Sequence, residues 1–258
     1  MSSTSERSSE ETFRCSICLE VFSEPLSTPC GHNICKRCIC ENTCPLCNRS
    51  FDRRPEKHLS EDFILFKAEL KKKQQFVADV TLDPNTAAPW LVLSEDLKQV
   101  HHTNVKMTLP DSPLRFDTCA CVLGKQSFSS GRFYFEVQVK GKTEWDLGVA
   151  QESINRKGLI TLTPKNGVWC IVLRNKDQYS ACTESLVPLS LQRAPQKVGV
   201  FVDYGEGLVS FYDADSADLL FSFSGCCFRE KLFPFFCPGF NHSGSNSAPL
   251  VLTAVEIV

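Results

Sequence analysis

The sequence predicts a multidomain chain: a small zinc-organised finger, a short amphipathic helix, and then an all-β antiparallel sandwich. Three observations carry this. Eight Cys and His residues between Cys15 and Cys47 stand at metal-ligand spacing. Apolar residues after Ser60 recur with a helical period. From about Asp79 onward, short apolar runs alternate with Gly, Asn, Asp and Pro, as in an antiparallel sandwich.

The finger reads Cys15-x2-Cys18-x11-Cys30-x-His32-x2-Cys35-x2-Cys38-x5-Cys44-x2-Cys47. Seven thiols and one imidazole make eight ligands, enough for two closed tetrahedral zinc sites. A two-residue gap lets both thiolates of a pair reach one metal. The order, with His fourth, is that of a RING finger. Cys40 is an extra thiol, since eight ligands already close both sites. Residues 1–12, MSSTSERSSEET, have no apolar h-region of the secretory kind and read as a disordered Ser/Glu-rich tail.

After the finger, Ser60-Glu61-Asp62 looks like a helix start, a capping hydroxyl followed by acids that suit the positive helix end. Phe63, Phe66, Leu70 and Val77 then follow at helical spacing, which predicts an amphipathic helix over 61–77. Lys71-Lys72-Lys73 near its end reads as a solvated, dipole-compatible face rather than a nuclear signal.

In residues 79–258, Phe133, Phe135, Val137 and Val139 alternate on one face of a strand. Further strands are expected at 168–173, 197–202, 208–212 and 219–223, with no long helix. Trp145, Trp169, Phe211 and Phe235 sit among buried-strand neighbours and read as core. The expected organisation is a tail at 1–12, the finger at 13–51, a linker with the helix at 52–78 and the sandwich at 79–258.

The net charge of -2 over 258 residues gives no global argument for nucleic acid or an anionic membrane. The finger also lacks a basic recognition helix. No apolar run reaches membrane-spanning length. Of fifteen cysteines, the seven beyond the finger (Cys119, Cys121, Cys170, Cys182, Cys226, Cys227, Cys237) lie mostly in apolar, strand-like stretches. They read as reduced, buried small hydrophobes, and the chain as cytoplasmic.

The finger resembles the RING of the tripartite-motif family of ubiquitin ligases. The matching text is Cys15-Ser-Ile-Cys-Leu-Glu-Val-Phe, Glu24-Pro25, Pro29-Cys-Gly-His-Asn-Ile-Cys-Lys-Arg-Cys-Ile39 and Cys44-Pro-Leu-Cys47. The second module resembles the PRY–SPRY domain that ends many of these proteins. It does so through Val80-Thr-Leu-Asp-Pro-Asn85, Leu91-Val-Leu-Ser94, Arg115-Phe-Asp117, Val122-Leu-Gly124 and Phe128-Ser-Ser-Gly131. Trp145-Asp-Leu-Gly-Val149, Val202-Asp-Tyr204, Val209-Ser-Phe-Tyr212 and Leu232-Phe-Pro-Phe-Phe-Cys-Pro-Gly239 continue the match. The family's B-box and long coiled coil have no counterpart: no Cys lies between Cys47 and Cys119, and the helix offers about two heptads.

The resemblance implies a cross-brace, with Cys15, Cys18, Cys35 and Cys38 on one zinc ion and Cys30, His32, Cys44 and Cys47 on the other. It implies a ligase that forms no covalent intermediate and holds a ubiquitin-charged conjugating enzyme where a lysine can attack, which is catalysis by positioning. Ile17, Pro45 and Leu46 would line the groove for that enzyme, with Asn48 where many members carry Arg or Lys. Only five residues separate Cys38 from Cys44, fewer than is usual for the groove wall. Both departures imply weak activity, or a non-catalytic adaptor or decoy that binds the same target. The PRY–SPRY part shows no catalytic constellation. Its resemblance implies a protein target bound through end loops, with Asp146, Arg174, Tyr179, Phe240 and Asn241 as candidates. Weak self-association is expected, since the helix is too short for firm pairing.

Overall fold

A computed structural model of the chain describes Ile17 and residues 25–27, 33–38, 43–50, 61–191 and 193–255. The expected tail, the ligands Cys15, Cys18, Cys30 and His32, and the extra thiol Cys40 lie outside the described residues. The chain divides between Glu69 and Leu70 into two compact units.

In the first unit, β1 (Pro25–Ser27) pairs antiparallel with β2 (Asn33–Cys35), Leu26 facing Ile34. A single 3-10 turn, Lys36–Cys38, follows directly, and an antiparallel bridge joins Thr43 to Ser50. Ile34, Cys35 and Cys44 are fully buried.

The predicted helix forms over Glu61–Gln74 and ends on Lys71, Lys72 and Lys73. It stops short of Val77. The Phe76 and Val77 amides tighten onto the carbonyls of Lys73 (3.0 Å) and Gln74 (3.2 Å). The chain then becomes extended because Tyr134 takes over its bonding. The Tyr134 amide donates to the Phe76 carbonyl, and the Ala78 amide donates to the Tyr134 carbonyl, both at 2.8 Å. Val77 therefore sits in a parallel bridge with Tyr134 rather than in a last helical turn.

The second unit is two stacked antiparallel sheets. One contains β3 (Leu91–Leu93), β4 (Gln99–His102), β6 (Arg132–Gln138), β11 (Lys197–Asp203), β12 (Leu208–Asp213), β13 (Leu219–Phe223) and β15 (Leu250–Thr253). Their order is β13-β12-β11-β6-β15-β4-β3. The other contains β5 (Val122–Leu123), β7 (Trp145–Gln151), β8 (Val168–Arg174), β9 (Gln178–Cys182), β10 (Leu186–Pro188) and β14 (Leu232–Cys237), in the order β10-β9-β8-β7-β14-β5. Among the described residues of this unit, helical structure beyond Gln74 is limited to single 3-10 turns.

Between the sheets, Phe135 meets Phe236 with ring centroids 5.9 Å apart. Phe133, Val137, Leu147, Ile171, Val200 and Phe211 fill the same layer and are essentially inaccessible. Trp145, Trp169, Phe211 and Phe235 are all buried, as their strand neighbours predict.

The strict alternation expected on β6 is not what folds. Tyr134 and Glu136, the residues between its core-facing phenylalanines and valine, are buried too. The end of the helix covers them: Leu70 packs with Tyr134, Phe201 and Tyr212. The Glu136 carboxylate there accepts from Gln74 Nε2 and Tyr134 Oη, both at 2.9 Å, and pairs with Lys197 Nζ at 2.8 Å. Burial, with Glu136 alongside, pushes the Tyr134 phenol far above its ordinary range. A charge so placed is tolerable because every neighbour donates to it.

Candidate functional site

In the first unit, the described ligands sit on short turns suited to zinc knuckles. Cys35 ends β2 and Cys38 ends the 3-10 turn, where side chains three apart eclipse. Cys44 and Cys47 share a turn in which the Asn48 amide donates to the Cys44 carbonyl (2.8 Å) and the Cys44 amide to the Arg49 carbonyl (2.9 Å). Asn48 closes that turn with φ 56°, a left-handed conformation that Asn adopts more readily than most residues. The donor set, two thiols per turn at a two-residue gap, fits zinc. Among the described residues no group of three or more His, Cys, Asp or Glu gathers around one point; the structure describes two ligands of each expected set of four. Ile17 and Leu46 are exposed, at 40% and 39%, Asn48 is exposed, and Pro45 is half-buried.

In the second unit, the outer face of the six-stranded sheet carries a pocket of about 240 Å³. Strand register builds its floor. Asp146 on β7 faces Cys237 on β14 and Val172 on β8, and Arg174 extends β8. The Asp146 carboxylate meets Arg174 Nη1 at 2.5 Å, and that nitrogen also donates to the carbonyls of Leu173 (2.8 Å) and Trp145 (3.1 Å). Burial pushes the Asp146 carboxyl above the usual carboxylate range, against the pull of Arg174. The walls are apolar: Leu159, Ile160 and Leu162 on one side and Phe240 on another. Leu159 is 85% exposed and Phe240 is 55% exposed. Apolar groups left in water around a few buried polar ones are what a recognition pocket presents.

One buried side chain holds the loop that carries Phe240. Asn246 is 1% exposed. Its Oδ1 accepts from the amides of Thr143 (2.8 Å) and Glu144 (3.3 Å). Its Nδ2 lies within bonding distance of the carbonyls of Pro238 (3.0 Å), Phe240 (3.0 Å) and Glu144 (3.1 Å). Gly239 must be glycine here: its φ is 72°, and a Cβ would stand 2.7 Å from the Glu144 carbonyl and 2.9 Å from Asn246 Nδ2. Lys142 is also buried and donates to the Ala248 carbonyl at 2.7 Å. Burial lowers its ammonium to about 8, with Glu144 pulling the other way.

Two imidazoles flank the Phe240 ring, His102 at 5.3 Å and His242 at 6.2 Å between centroids. The Asn241 amide donates to His102 Nδ1 at 3.3 Å, and His242 Nε2 meets Glu144 Oε2 at 2.7 Å. Burial, with help from the nearby His242, His101 and Lys142, holds His102 below the ordinary imidazole range, which keeps Nδ1 free to accept.

Of the five residues singled out from the sequence for target contact, Asp146, Arg174 and Phe240 line this one pocket. Asn241 caps the 3-10 turn His242–Gly244 through its side chain. Tyr179 stands apart from the pocket lining, half-buried and edge-on to Trp145 at 6.2 Å. Sequence reasoning missed Asn246, Lys142, His102, Glu144 and the wall at 159–162. It also missed a disulfide. The seven thiols were expected reduced, yet Cys121 and Cys237 are bonded, with Cα atoms 4.3 Å apart. Their separation of 116 residues gave no local hint; the β5–β14 pairing puts them opposite each other.

Comparison with known proteins supports this layout. A RING-type zinc-finger model matches residues 15–52, a SPRY-associated domain model residues 80–128, and a SPRY domain model residues 132–250. The E3 ubiquitin-protein ligase TRIM21 of Bos taurus is 49% identical over 178 residues, 69% of this chain and 38% of that protein. Pyrin of Homo sapiens is 43% identical over 187 residues, 72% of this chain and 24% of that protein. The chain thus spans well under half the length of these relatives. The crystal structure of the TRIM65 PSpry domain superposes with a TM-score of 0.62 at 23% identity, covering 72% of this chain and 96% of that one. The RING family implies zinc at the finger. With the three models matching in this order along one sequence, the chain is a tripartite-motif-like RING and PRY–SPRY protein.

Proposed function

We propose that the chain is a RING-type ubiquitin ligase whose PRY–SPRY pocket selects a protein target. The observation that carries this is the pairing of a matched RING-type finger with a SPRY domain whose relatives include a named ubiquitin ligase. In this reading the finger spans 13–51, the helical linker 52–78 and the target-binding sandwich 79–258. Two zinc ions hold the finger, one on Cys15, Cys18, Cys35 and Cys38, the other on Cys30, His32, Cys44 and Cys47. The ions organise the fold and take no part in the transfer.

The chemistry asked of the chain is positioning. Ile17 and Leu46, exposed on the finger, would meet the conjugating enzyme, with Pro45 shaping the turn between the last two ligands. Asn48 follows on that turn, and a carboxamide cannot supply the bidentate, charged contact that Arg would make. Asp146, Arg174, Phe240 and the loop held by Asn246 would meet the target. Intrinsic transfer is therefore present and slow.

The test is single-turnover discharge of ubiquitin from a charged conjugating enzyme onto free lysine. Wild type should discharge slowly, Ile17→Ala should not, and chelation should stop the reaction. A charge-assisted contact of about 1.5–3 kcal/mol restored by Asn48→Arg corresponds to roughly one to two decades in rate. No discharge by wild type or Asn48→Arg across a panel of conjugating enzymes would instead make the chain an adaptor that binds the target without modifying it.

A further inference from the structure

The wall of the target pocket contains a disulfide, and its surroundings give that bond work to do. Cys121 and Cys237 both line the pocket, and Cys119 stands two residues away on the same wall. Cys237 is the last residue of β14 and leads directly into Pro238, Gly239 and Phe240. Cys121 precedes β5, an edge strand of two residues. β5 joins β14 through two facing pairs, Leu123 with Phe235 and Val122 with Phe236, and the Gly124 amide donates to the Pro234 carbonyl (2.8 Å) at the end away from the sulfurs. The sulfur bridge thus extends a very short ladder. Beyond it, the wall segment has the Cys121 amide to the Cys119 carbonyl (2.8 Å) within itself, and the Ala88 amide to the Cys121 carbonyl (3.1 Å) and the Asp117 amide to the Arg156 carbonyl (3.2 Å) to other segments.

We propose that Cys121 and Cys237 form a reversible redox switch in this pocket wall, closed by the disulfide and loosened by a small thiol or dithiol entering through the pocket. This rests on the reading of the pocket as the target site. The step is thiol–disulfide exchange. A reductant thiolate attacks one sulfur, the other leaves as a thiolate, and a second reductant thiol resolves the mixed disulfide. One protein disulfide and two reductant thiols give two protein thiols and one reductant disulfide. Small-molecule thiols fit a pocket of about 240 Å³. With the bridge open, the β5–β14 ladder keeps its two pairs and the Gly124–Pro234 bond but no longer reaches the Cys121 end, so the Thr118–Ala120 wall and the start of the Phe240 loop lose their shared anchor. The pocket then opens and its preference for a target falls.

The experiment uses the full chain equilibrated with either glutathione disulfide or dithiothreitol, followed by alkylation with mass mapping and by amide hydrogen exchange. Cys121 and Cys237 should be alkylated only in the reduced sample. Amides at 119–123 and 237–241 should exchange about tenfold faster or more there, as expected for a segment that has lost its anchor. The Cys121→Ser, Cys237→Ser double variant should match the reduced wild type under both treatments, whereas Cys119→Ser should keep the difference. Equal exchange in the two redox states, or alkylation of both residues in both samples, overturns the switch. Capture of target by the two forms is read separately: exchange decides the switch, and capture by neither form counts against the pocket reading on which it rests.

Discussion

Removing the side chain of Asn246 should unseat the Phe240 loop and cost much of the sandwich's stability. The side chain is buried and makes five hydrogen bonds, two accepted and three donated. Two donor hydrogens serve three carbonyls, so at least one bond is shared. At about 1 kcal/mol net per bond the loss would reach roughly 4–5 kcal/mol. The loop lies next to exposed residues 242–245, so water can replace part of it. Asn246→Ala should therefore destabilise by about 3–4 kcal/mol, at the upper end of ordinary single substitutions. For a domain of this size that lowers Tm by roughly 6–16 °C. The assay is urea and thermal unfolding of the full chain, followed through the sandwich's transition. The urea midpoint should fall with an unchanged slope. Asn246→Asp separates the two halves of the network: it keeps acceptors for the Thr143 and Glu144 amides but turns an anionic oxygen toward three carbonyls. It should be at least as damaging as Ala. A cost below about 1 kcal/mol for Ala, or an Asp variant as stable as wild type, would refute the keystone role.

Lys142 sets a pH dependence. Burial lowers its folded ammonium to about 8, below the ordinary lysine value of 10.5, so the unfolded chain binds the extra proton between those values. Stability should therefore rise from about pH 8 to pH 10, by at most about 3 kcal/mol, and Lys142→Met should flatten that rise in urea midpoints taken across the range. Glu136→Ala should destabilise the sandwich by about 3–5 kcal/mol, because Lys197, Tyr134 and Gln74 lose their common acceptor, and calorimetry would read this directly. Burial of His102 implies a further effect: below the ordinary imidazole range its Nδ1 gains a proton and can no longer accept from the Asn241 amide. The protection of the Asn241 amide, the intrinsic exchange rate at the same pH divided by the observed one, should fall on acidification, and His102→Gln should remove that change. Chelation of zinc should unfold the finger, as seen in circular dichroism of the full chain, while the sandwich's melting transition stays in place.

Much of this architecture was legible because its signals are local. The ligand spacing of the finger, the helix up to Lys73 and the strands at 168–173, 197–202, 208–212 and 219–223 each follow from a period or a gap of a few residues. Phe240, between Gly239 and Asn241, was a candidate by its place in an end loop, and it is exposed. What escaped depends on residues far apart in sequence. Tyr134 and Glu136 look solvent-facing by alternation, and only the returning helix end buries them. Asn246 reads as one more polar loop residue in Ser-Gly-Ser-Asn-Ser, yet its five bonds reach four residues, Thr143, Glu144, Pro238 and Phe240. Val77 kept the helical period and lost the helix, because strand bonds to Tyr134 competed for its neighbours. The Cys121–Cys237 bond is invisible to any window shorter than the 116 residues that separate the pair.

The central claim is that the finger transfers ubiquitin while the pocket chooses the recipient. The most direct measurement is ubiquitin attached to proteins retained by the full chain, comparing wild type with one variant in each module. Wild type should retain a target and modify it. Ile17→Ala should retain the same target without modifying it, and Phe240→Asp should lose retention and modification together. Modification that persists in Ile17→Ala, or retention indifferent to Phe240→Asp, would contradict the account.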